Sequence, residues 1–359
     1  MRIAIDAREL SGKPTGVGRY LGGLLREWTD GGAASAHGHD ITLYSHRPVE
    51  WAVGRCPVRV VSGSGGTLWE QRDLRRAVAD DHADVLFSPA YSTPLLTQVP
   101  RVVALHDISF AARPEWFHWR EGLRRRTLAR RAAAASRAVI TISEFSRSEI
   151  VERFGVAPEK IHVVPPGIDR PCTGDRATAD GRIHLLYVGS IFNRRHIPAL
   201  VEAFGHLAQQ RPDAHLHIVG DNRSFPPQDI AACIDGSGAS ARVTWHRYVP
   251  DADLQRLYAQ ATGFVFLSEY EGLGLTPLEA LSCGIPSLLL DTPVARESCG
   301  DAALYVPLGS TTTIARSLEQ LLYDTDARRA LLAAAPATLA RYDWAMAARD
   351  TMRVLEAAV

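Results

Sequence analysis

One alternation runs through this chain twice. Short Val- and Ile-rich runs are separated by longer segments with helical periodicity, the pattern breaks once, and it then restarts. Runs that are apolar throughout, such as His184-Leu-Leu-Tyr-Val188 and Ser287-Leu-Leu-Leu290, suit strands covered by helices on both faces. Parallel strands need long crossovers, so each run with its following helix reads as part of a βαβ unit. The spacing predicts strands at 2–7, 40–45, 58–62, 84–88, 101–106, 138–143 and 161–164, with helices near 17–29, 68–79, 118–135 and 144–154. Pro165-Pro166-Gly167 and the polar stretch from Arg170 to Gly181 then read as a linker. Beyond it, strands are expected at 183–189, 214–219, 242–246, 263–267, 286–290 and 303–306, with helices near 195–209, 227–235, 251–260, 276–283 and 310–323.

The expected fold class is therefore α/β, with two doubly wound, Rossmann-like domains facing a central cleft. The expected boundaries are 1–168 for an N-terminal acceptor-binding domain, 169–182 for the linker and 183–342 for a C-terminal nucleotide-binding domain, with 343–359 a helix placed to cross back. Ligands of such sheets sit beyond the carboxyl ends of the strands.

Composition narrows the partners. Forty Lys and Arg balance forty Asp and Glu, which argues against a nucleic-acid partner held by bulk charge. Only Lys13 and Lys160 are lysines, and this Arg- and Ala-rich background lowers the weight of any single arginine. The five cysteines are odd in number and show no CxxC spacing, and the chain opens on a strand-like Met1-Arg-Ile-Ala-Ile-Asp6. Free, mostly buried thiols in a reducing cytoplasm are the expectation. No apolar run approaches the roughly 18 residues of a membrane-spanning helix.

Two segments carry the chemistry. Ser268-Glu-Tyr-Glu-Gly-Leu-Gly-Leu-Thr-Pro-Leu-Glu-Ala280 follows an apolar run, passes through glycines and enters a helix with Pro277 in its first turn. Backbone amides at Gly274, Leu275 and Thr276 would face an anion there, with the helix dipole behind them. Glu271 lies on the loop and Glu279 inside the helix; a buried Glu279 needs donors such as the hydroxyls of a ribose. The second segment is Tyr187-Val-Gly-Ser-Ile-Phe-Asn-Arg-Arg-His196, in which Gly189 allows close backbone approach and Arg194-Arg195 are expected to begin a helix. Cations at a helix N-terminus oppose its dipole, and a diphosphate would resolve the conflict.

These residues resemble the retaining glycosyltransferases of family 4, which have the GT-B fold. The resemblance covers nearly the whole length. It runs through Thr15-Gly-Val-Gly-Arg-Tyr20, Val103-Ala-Leu-His-Asp-Ile-Ser-Phe110, Thr141-Ile-Ser-Glu-Phe-Ser146 and Lys160-Ile-His-Val-Val-Pro-Pro-Gly-Ile-Asp169. It continues through Gly189 to Arg195, Tyr248-Val-Pro-Asp251 and the Glu271/Glu279 pair. The N-terminal half looks most like bacterial mannosyltransferases that build O-antigen or exopolysaccharide.

The resemblance implies roles. Arg194 and Arg195 match a pair that holds the donor diphosphate, with Arg195 standing where the family usually has lysine. Glu271 matches a residue facing the donor sugar and Glu279 the ribose ligand. Gly274, Leu275 and Thr276 match the amides at phosphate and sugar, and Gly189 and Ser190 the loop beside them. Tyr248 and Val249 match the main chain that reads the base, Gly16 and Val17 a glycine loop near the diphosphate, and His106 a residue reaching the sugar. The implied donor is GDP-mannose, with a UDP-sugar or dTDP-rhamnose open, the acceptor a glycan or lipid-linked glycan, and no metal or other cofactor is required. The implied reaction is same-face transfer in which the leaving phosphate takes the acceptor's proton. A nucleotide-dependent oxidoreductase and a catalytically inactive GT-B domain are the competing readings.

Other features have plainer readings. Gly16-Val-Gly18 with Gly22 imitates a dinucleotide fingerprint at the wrong spacing. Asp251-Ala-Asp253 and Asp324-Thr-Asp326 imitate a metal-binding DxD motif, and N-capping is their expected job. His215 and His217 alternate on a strand with no third ligand nearby in sequence. Trp116, Trp119 and the arginines from Arg124 to Arg131 read either as a dock for anionic lipid at the inner face of the cytoplasmic membrane or as a packed loop beside a solvated helix face.

Overall fold

A computed structural model describes residues 1–12, 16–29, 38–49, 56–172 and 181–359. Most of the expected linker, 173–180, lies outside the described residues. The chain divides into two compact units, Met1–Gly167 with Tyr342–Val359, and Ile168–Arg341.

In the first unit the chain runs β1 (Arg2–Asp6), α1 (Gly16–Thr29), β2 (Asp40–Ser45), β3 (Val58–Val60), α2 (Arg75–Asp80), β4 (Val85–Ser88) and β5 (Arg101–Ala104). It continues through α3 (Ser109–Ala112), α4 (Trp119–Ala135), β6 (Ala138–Thr141), α5 (Glu144–Phe154) and β7 (Ile161–Val163). The strands form one parallel sheet in the order β3-β2-β1-β4-β5-β6-β7. Every residue of β4 and β6 is buried, as strands covered on both faces require. Helix α5 shows how local sequence sets the ends. Ser143 caps its first turn by accepting from the Ser146 amide, and Gly155 closes it in the left-handed conformation.

At the carboxyl ends of β1 and β4 lies a buried ionic network. Arg8 donates to Asp6 at 2.6 Å and to Glu70 at 2.5 Å, and Glu70 also accepts from Ser92 and Gln71. Both carboxylates are almost wholly buried, so Arg8 compensates two charges withdrawn from water.

In the second unit the order is β8 (Ile183–Val188), α6 (Ile197–Gln210), β9 (Ala214–Val219), α7 (Ile230–Gly236), β10 (Val243–His246), α8 (Asp251–Gln260) and β11 (Gly263–Phe266). Then come α9 (Leu275–Ser282), β12 (Ser287–Leu290), α10 (Pro293–Cys299), β13 (Ala303–Val306), α11 (Thr311–Tyr323) and α12 (Thr325–Leu339). The parallel sheet has the order β10-β9-β8-β11-β12-β13, so its direction of growth reverses between β8 and β11. The last helix, α13 (Trp344–Ala357), belongs to the first unit. Its Ala347, Ala348 and Leu355 share a core with Leu21 and Leu24 of α1, and Trp28 Nε1 donates to the Ala348 carbonyl at 3.0 Å.

Three expectations need correction. Cys172 and Cys283 are not free thiols but a disulfide, with Cα atoms 5.9 Å apart; Cys56, Cys233 and Cys299 are free. Arg194 and Arg195 do not begin a helix. They lie in a 3-10 turn, Asn193–Arg195, and His196 at φ 48° breaks the path before α6 starts at Ile197. Asp251 is not an N-cap, because Pro250 holds that position and Asp251 and Asp253 fall in the first turn of α8. Asp324 does cap α12, accepting from the Asp326 and Ala327 amides.

Candidate active site

The reversal between β8 and β11 leaves the carboxyl ends of two adjacent strands free of a shared crossover, the usual place for a ligand in a doubly wound sheet. The chain leaving β8 carries Gly189, Ser190, Arg194 and Arg195; the chain leaving β11 carries Ser268, Glu271 and Gly274. These two loops meet. Arg195 Nε donates to Glu271 Oε1 at 2.9 Å, and Arg194 Nε stands 3.9 Å from the same oxygen. The side chains of Arg194, Arg195 and Glu271 are only 11%, 13% and 16% exposed. Burial works against the Arg195 charge, but the neighbouring Glu271 carboxylate prevails and holds the guanidinium's pKa above its ordinary value. The dipole conflict expected of two arginines at a helix start does not arise, because they lie in a turn before α6 and Glu271 answers their charge.

Ser268 Oγ donates to Glu271 Oε1 at 2.8 Å, and Arg195 Nη1 donates to the Ser190 carbonyl at 2.8 Å. Gly189 has φ 149°, and a Cβ there would lie 2.5 Å from Arg195 Nη1, so the room it leaves is filled by this arginine. Burial pushes the Tyr187 phenol up to about 12, which keeps its hydroxyl protonated toward the Ser190 carbonyl at 3.3 Å.

Past Glu271 the chain turns through Gly274, left-handed at φ 85°, and α9 starts at Leu275. Gly274 has no side chain with which to cap the helix, so the amides of Leu275 and Thr276 form an N-terminus suited to an anion. Glu279 follows within α9, 8% exposed, with Tyr258 Oη 3.5 Å from its Oε2. An open pocket beside Glu271 and Gly274 extends past Pro277 to Thr292 and Ser298. Tyr248 and Val249 lie on the loop between β10 and α8, and Tyr248 is 73% exposed.

In the first unit His106 follows β5 and is buried. Its Nε2 lies 2.9 Å from the Pro89 carbonyl, its ring meets Tyr20 and Tyr91 edge-on, and its own carbonyl accepts from Ser146 Oγ. Burial lowers its pKa below the ordinary 6.5, against the opposing pull of the Pro89 carbonyl and Asp107. Gly16 and Val17 open α1, and Gly16, Gly18 and Gly22 all lie inside that helix rather than in a strand-to-helix turn, which removes the dinucleotide imitation.

Comparison with known proteins decides the family. Residues 14–170 match the family described as Glycosyltransferase Family 4, and residues 175–338 the one described as Glycosyl transferases group 1. The chain belongs to the family 4 glycosyltransferases. This glycosyltransferase is 28% identical over 259 residues to O-antigen chain mannosyltransferase B of Escherichia coli, a match spanning 68% of this chain and 66% of that protein. It is 30% identical over 260 residues to the GDP-mannose:cellobiosyl-diphosphopolyprenol alpha-mannosyltransferase of Xanthomonas campestris, spanning 68% and 64%. Its fold is that of HepE from Anabaena, solved with UDP and glucose, at a TM-score of 0.75 and 19% identity over 99% of each chain. The fold class is GT-B, two parallel-sheet Rossmann-like domains.

Sequence reasoning missed several neighbours of the site. Phe192 and Phe266 flank the Arg195 guanidinium, with ring centroids 5.5 and 4.8 Å from its carbon. Ser268 lies three residues before Glu271 on the same loop, a spacing that signals their contact. Tyr91, at φ 63°, stands beside His106, and its hydroxyl lies 3.4 Å from Asp107. Nothing in the local sequence signals that conformation.

Proposed function

We propose that this glycosyltransferase moves mannose from GDP-mannose, with retention at the anomeric carbon, to a hydroxyl of a glycan or lipid-linked glycan. The observation that carries the reading is the convergence of Arg194, Arg195 and Glu271 with the uncapped start of α9 at the β8/β11 reversal. The departing nucleoside diphosphate develops negative charge, and fixed positive groups placed where that charge appears lower the barrier. Arg194 and the amides of Leu275 and Thr276 are such groups, with Arg195 beside them paired to Glu271, so the departing charge is met without a metal. The acceptor oxygen bonds to the anomeric carbon as the bond from that carbon to the phosphate oxygen breaks, and the acceptor's proton passes to the leaving phosphate. Glu279 takes the ribose hydroxyls, Glu271 a sugar hydroxyl, Gly189 and Ser190 line the diphosphate, and the main chain at Tyr248 and Val249 reads the base. Gly16, Val17 and His106 are the first unit's proposed contacts with substrate. The names of the two mannosyltransferase relatives favour mannose, and one of them specifies GDP-mannose.

The proposed workplace is the cytoplasmic face of a membrane. Among the described residues no helix is long and apolar enough to cross one. Helix α4 instead presents Trp119, 71% exposed, and Leu123 beside exposed Arg120, Arg124, Arg130 and Arg131, an apolar and cationic face suited to anionic lipid.

The test is a thermal-shift panel of GDP, UDP, dTDP and ADP, with NAD as control, followed by vesicle co-sedimentation. At 100 times the dissociation constant a ligand stabilises by about 2.7 kcal/mol, a shift of a few degrees. A response to GDP alone is expected. A response to UDP or dTDP instead would replace the donor, silence toward every diphosphate would favour an inactive domain, and a response to NAD would overturn the reading. Vesicles with anionic lipid should retain the chain, and Trp119→Ala with Arg124→Glu should release it.

A further inference from the structure

We infer that Arg195 is a positioning residue that acts through Glu271, and that the charge meeting the diphosphate comes from Arg194 and the α9 amides. The inference rests on the donor reading above and refines it.

The guanidinium is held along one edge and at Nη1. Its Nε and Nη2 both lie 2.9 Å from Glu271 Oε1, and its Nη1 donates to the Ser190 carbonyl at 2.8 Å. The Phe266 and Phe192 rings stand against it, with centroids 4.8 and 5.5 Å from its carbon. Gly189 leaves space that Nη1 fills, since a Cβ would come within 2.5 Å of it. Turning the guanidinium toward a phosphate would break the bonds to Glu271 and the Ser190 carbonyl and move it off Phe266 and Phe192.

The consequence lies in Glu271. Among the described residues its hydrogen bonds from Arg195 and Ser268 all fall on Oε1, and Arg194 Nε approaches the same atom. Oε2 therefore keeps its lone pairs for a sugar hydroxyl, and the carboxylate's rotation is fixed before substrate arrives. A planar fork is required. It reaches the Ser190 carbonyl and Glu271 at once and lies against the Phe266 ring, whereas a lysine ammonium is a point charge without this planar fork.

The test compares wild type, Arg195→Lys, Arg195→Ala, Glu271→Gln and the Lys/Gln double variant, reading the GDP dissociation constant and the kcat and KM for GDP-mannose. Positioning predicts that lysine fails to rescue: kcat falls about 100-fold in Arg195→Lys while GDP affinity moves by less than about threefold. The double variant should be no slower than Glu271→Gln. Full activity in Arg195→Lys, or a tenfold or greater loss of GDP affinity in Arg195→Ala with kcat intact, overturns the inference. A wild-type chain that binds no nucleoside diphosphate contradicts the donor reading instead. In that case a denaturation cycle over Arg195 and Glu271 decides: non-additive midpoint shifts support the brace, and additive shifts overturn it.

Discussion

Arg195 donates to Glu271 at 2.9 Å although the two stand 76 positions apart in the chain. The contact exists because β8 and β11, distant in sequence, are neighbours in the second sheet. It joins the two loops that carry most of the candidate site, so disturbing either loop should be felt in the other.

Gly189→Ala tests that coupling from the β8 side. The new methyl would displace Arg195 Nη1, and φ 149° strains any residue with a Cβ. Turnover should drop by about tenfold or more, with circular dichroism unchanged. Ser268→Ala tests it from the other side. Loss of one charge-assisted hydrogen bond to Glu271 should lower kcat by about 10-fold, corresponding to about 1.4 kcal/mol. Wild-type kinetics in both variants would show that the Glu271 orientation does not matter.

The buried Arg8 network predicts a stability effect. Arg8→Ala leaves Asp6 and Glu70, 3% and 1% exposed, without their cation. The cost should be about 3–5 kcal/mol, read as a lower denaturant midpoint. A loss below about 1 kcal/mol would mean that the carboxylates find other compensation.

His106 predicts a pH dependence. Burial depresses its folded-state pKa below 6.5, so folding disfavours the protonated form. The stability this contributes is fully present above about 6.5 and is lost as pH falls through the depressed value. Wild type should therefore lose more melting temperature than His106→Gln between about pH 7.5 and 5.5. Parallel curves for the two proteins would contradict this.

The Cys172–Cys283 bond closes a sequence separation of 111 residues. Reductant should lower the melting temperature of wild type and leave Cys172→Ser unmoved, the difference reflecting about 2–4 kcal/mol. Insensitivity of wild type to reductant would show that the bond contributes no stability.

How much of this was legible follows from the range of the interactions involved. The alternation placed every strand within a few residues because each strand is apolar over its own short span, a local property. The helix over 144–154 is read equally well, since Ser143 and Gly155 mark its two ends. Arg194, Arg195 and Glu271 were each recognisable in their segments, but their contact was not, because it depends on which strands lie side by side. The arginines were misplaced into a helix because the turn is made by His196 in a left-handed conformation, which a non-glycine residue does not announce. The disulfide was hidden for the same reason as the ion pair, two residues far apart with no characteristic spacing. The histidines show it again. His215 looked isolated on its strand, yet the register pairs it directly with His184, and His217 lies against both His184 and His246.

Sugar transfer itself is read by release of GDP from GDP-mannose in the presence of a lipid-linked glycan acceptor, for wild type and for Glu279→Gln and Arg194→Ala. The expected result is acceptor-dependent GDP release with an α-mannosyl product, a raised KM in Glu279→Gln and a kcat reduced by about 100-fold or more in Arg194→Ala. Undiminished turnover in Arg194→Ala, or no acceptor-dependent release from any nucleotide sugar, would contradict it.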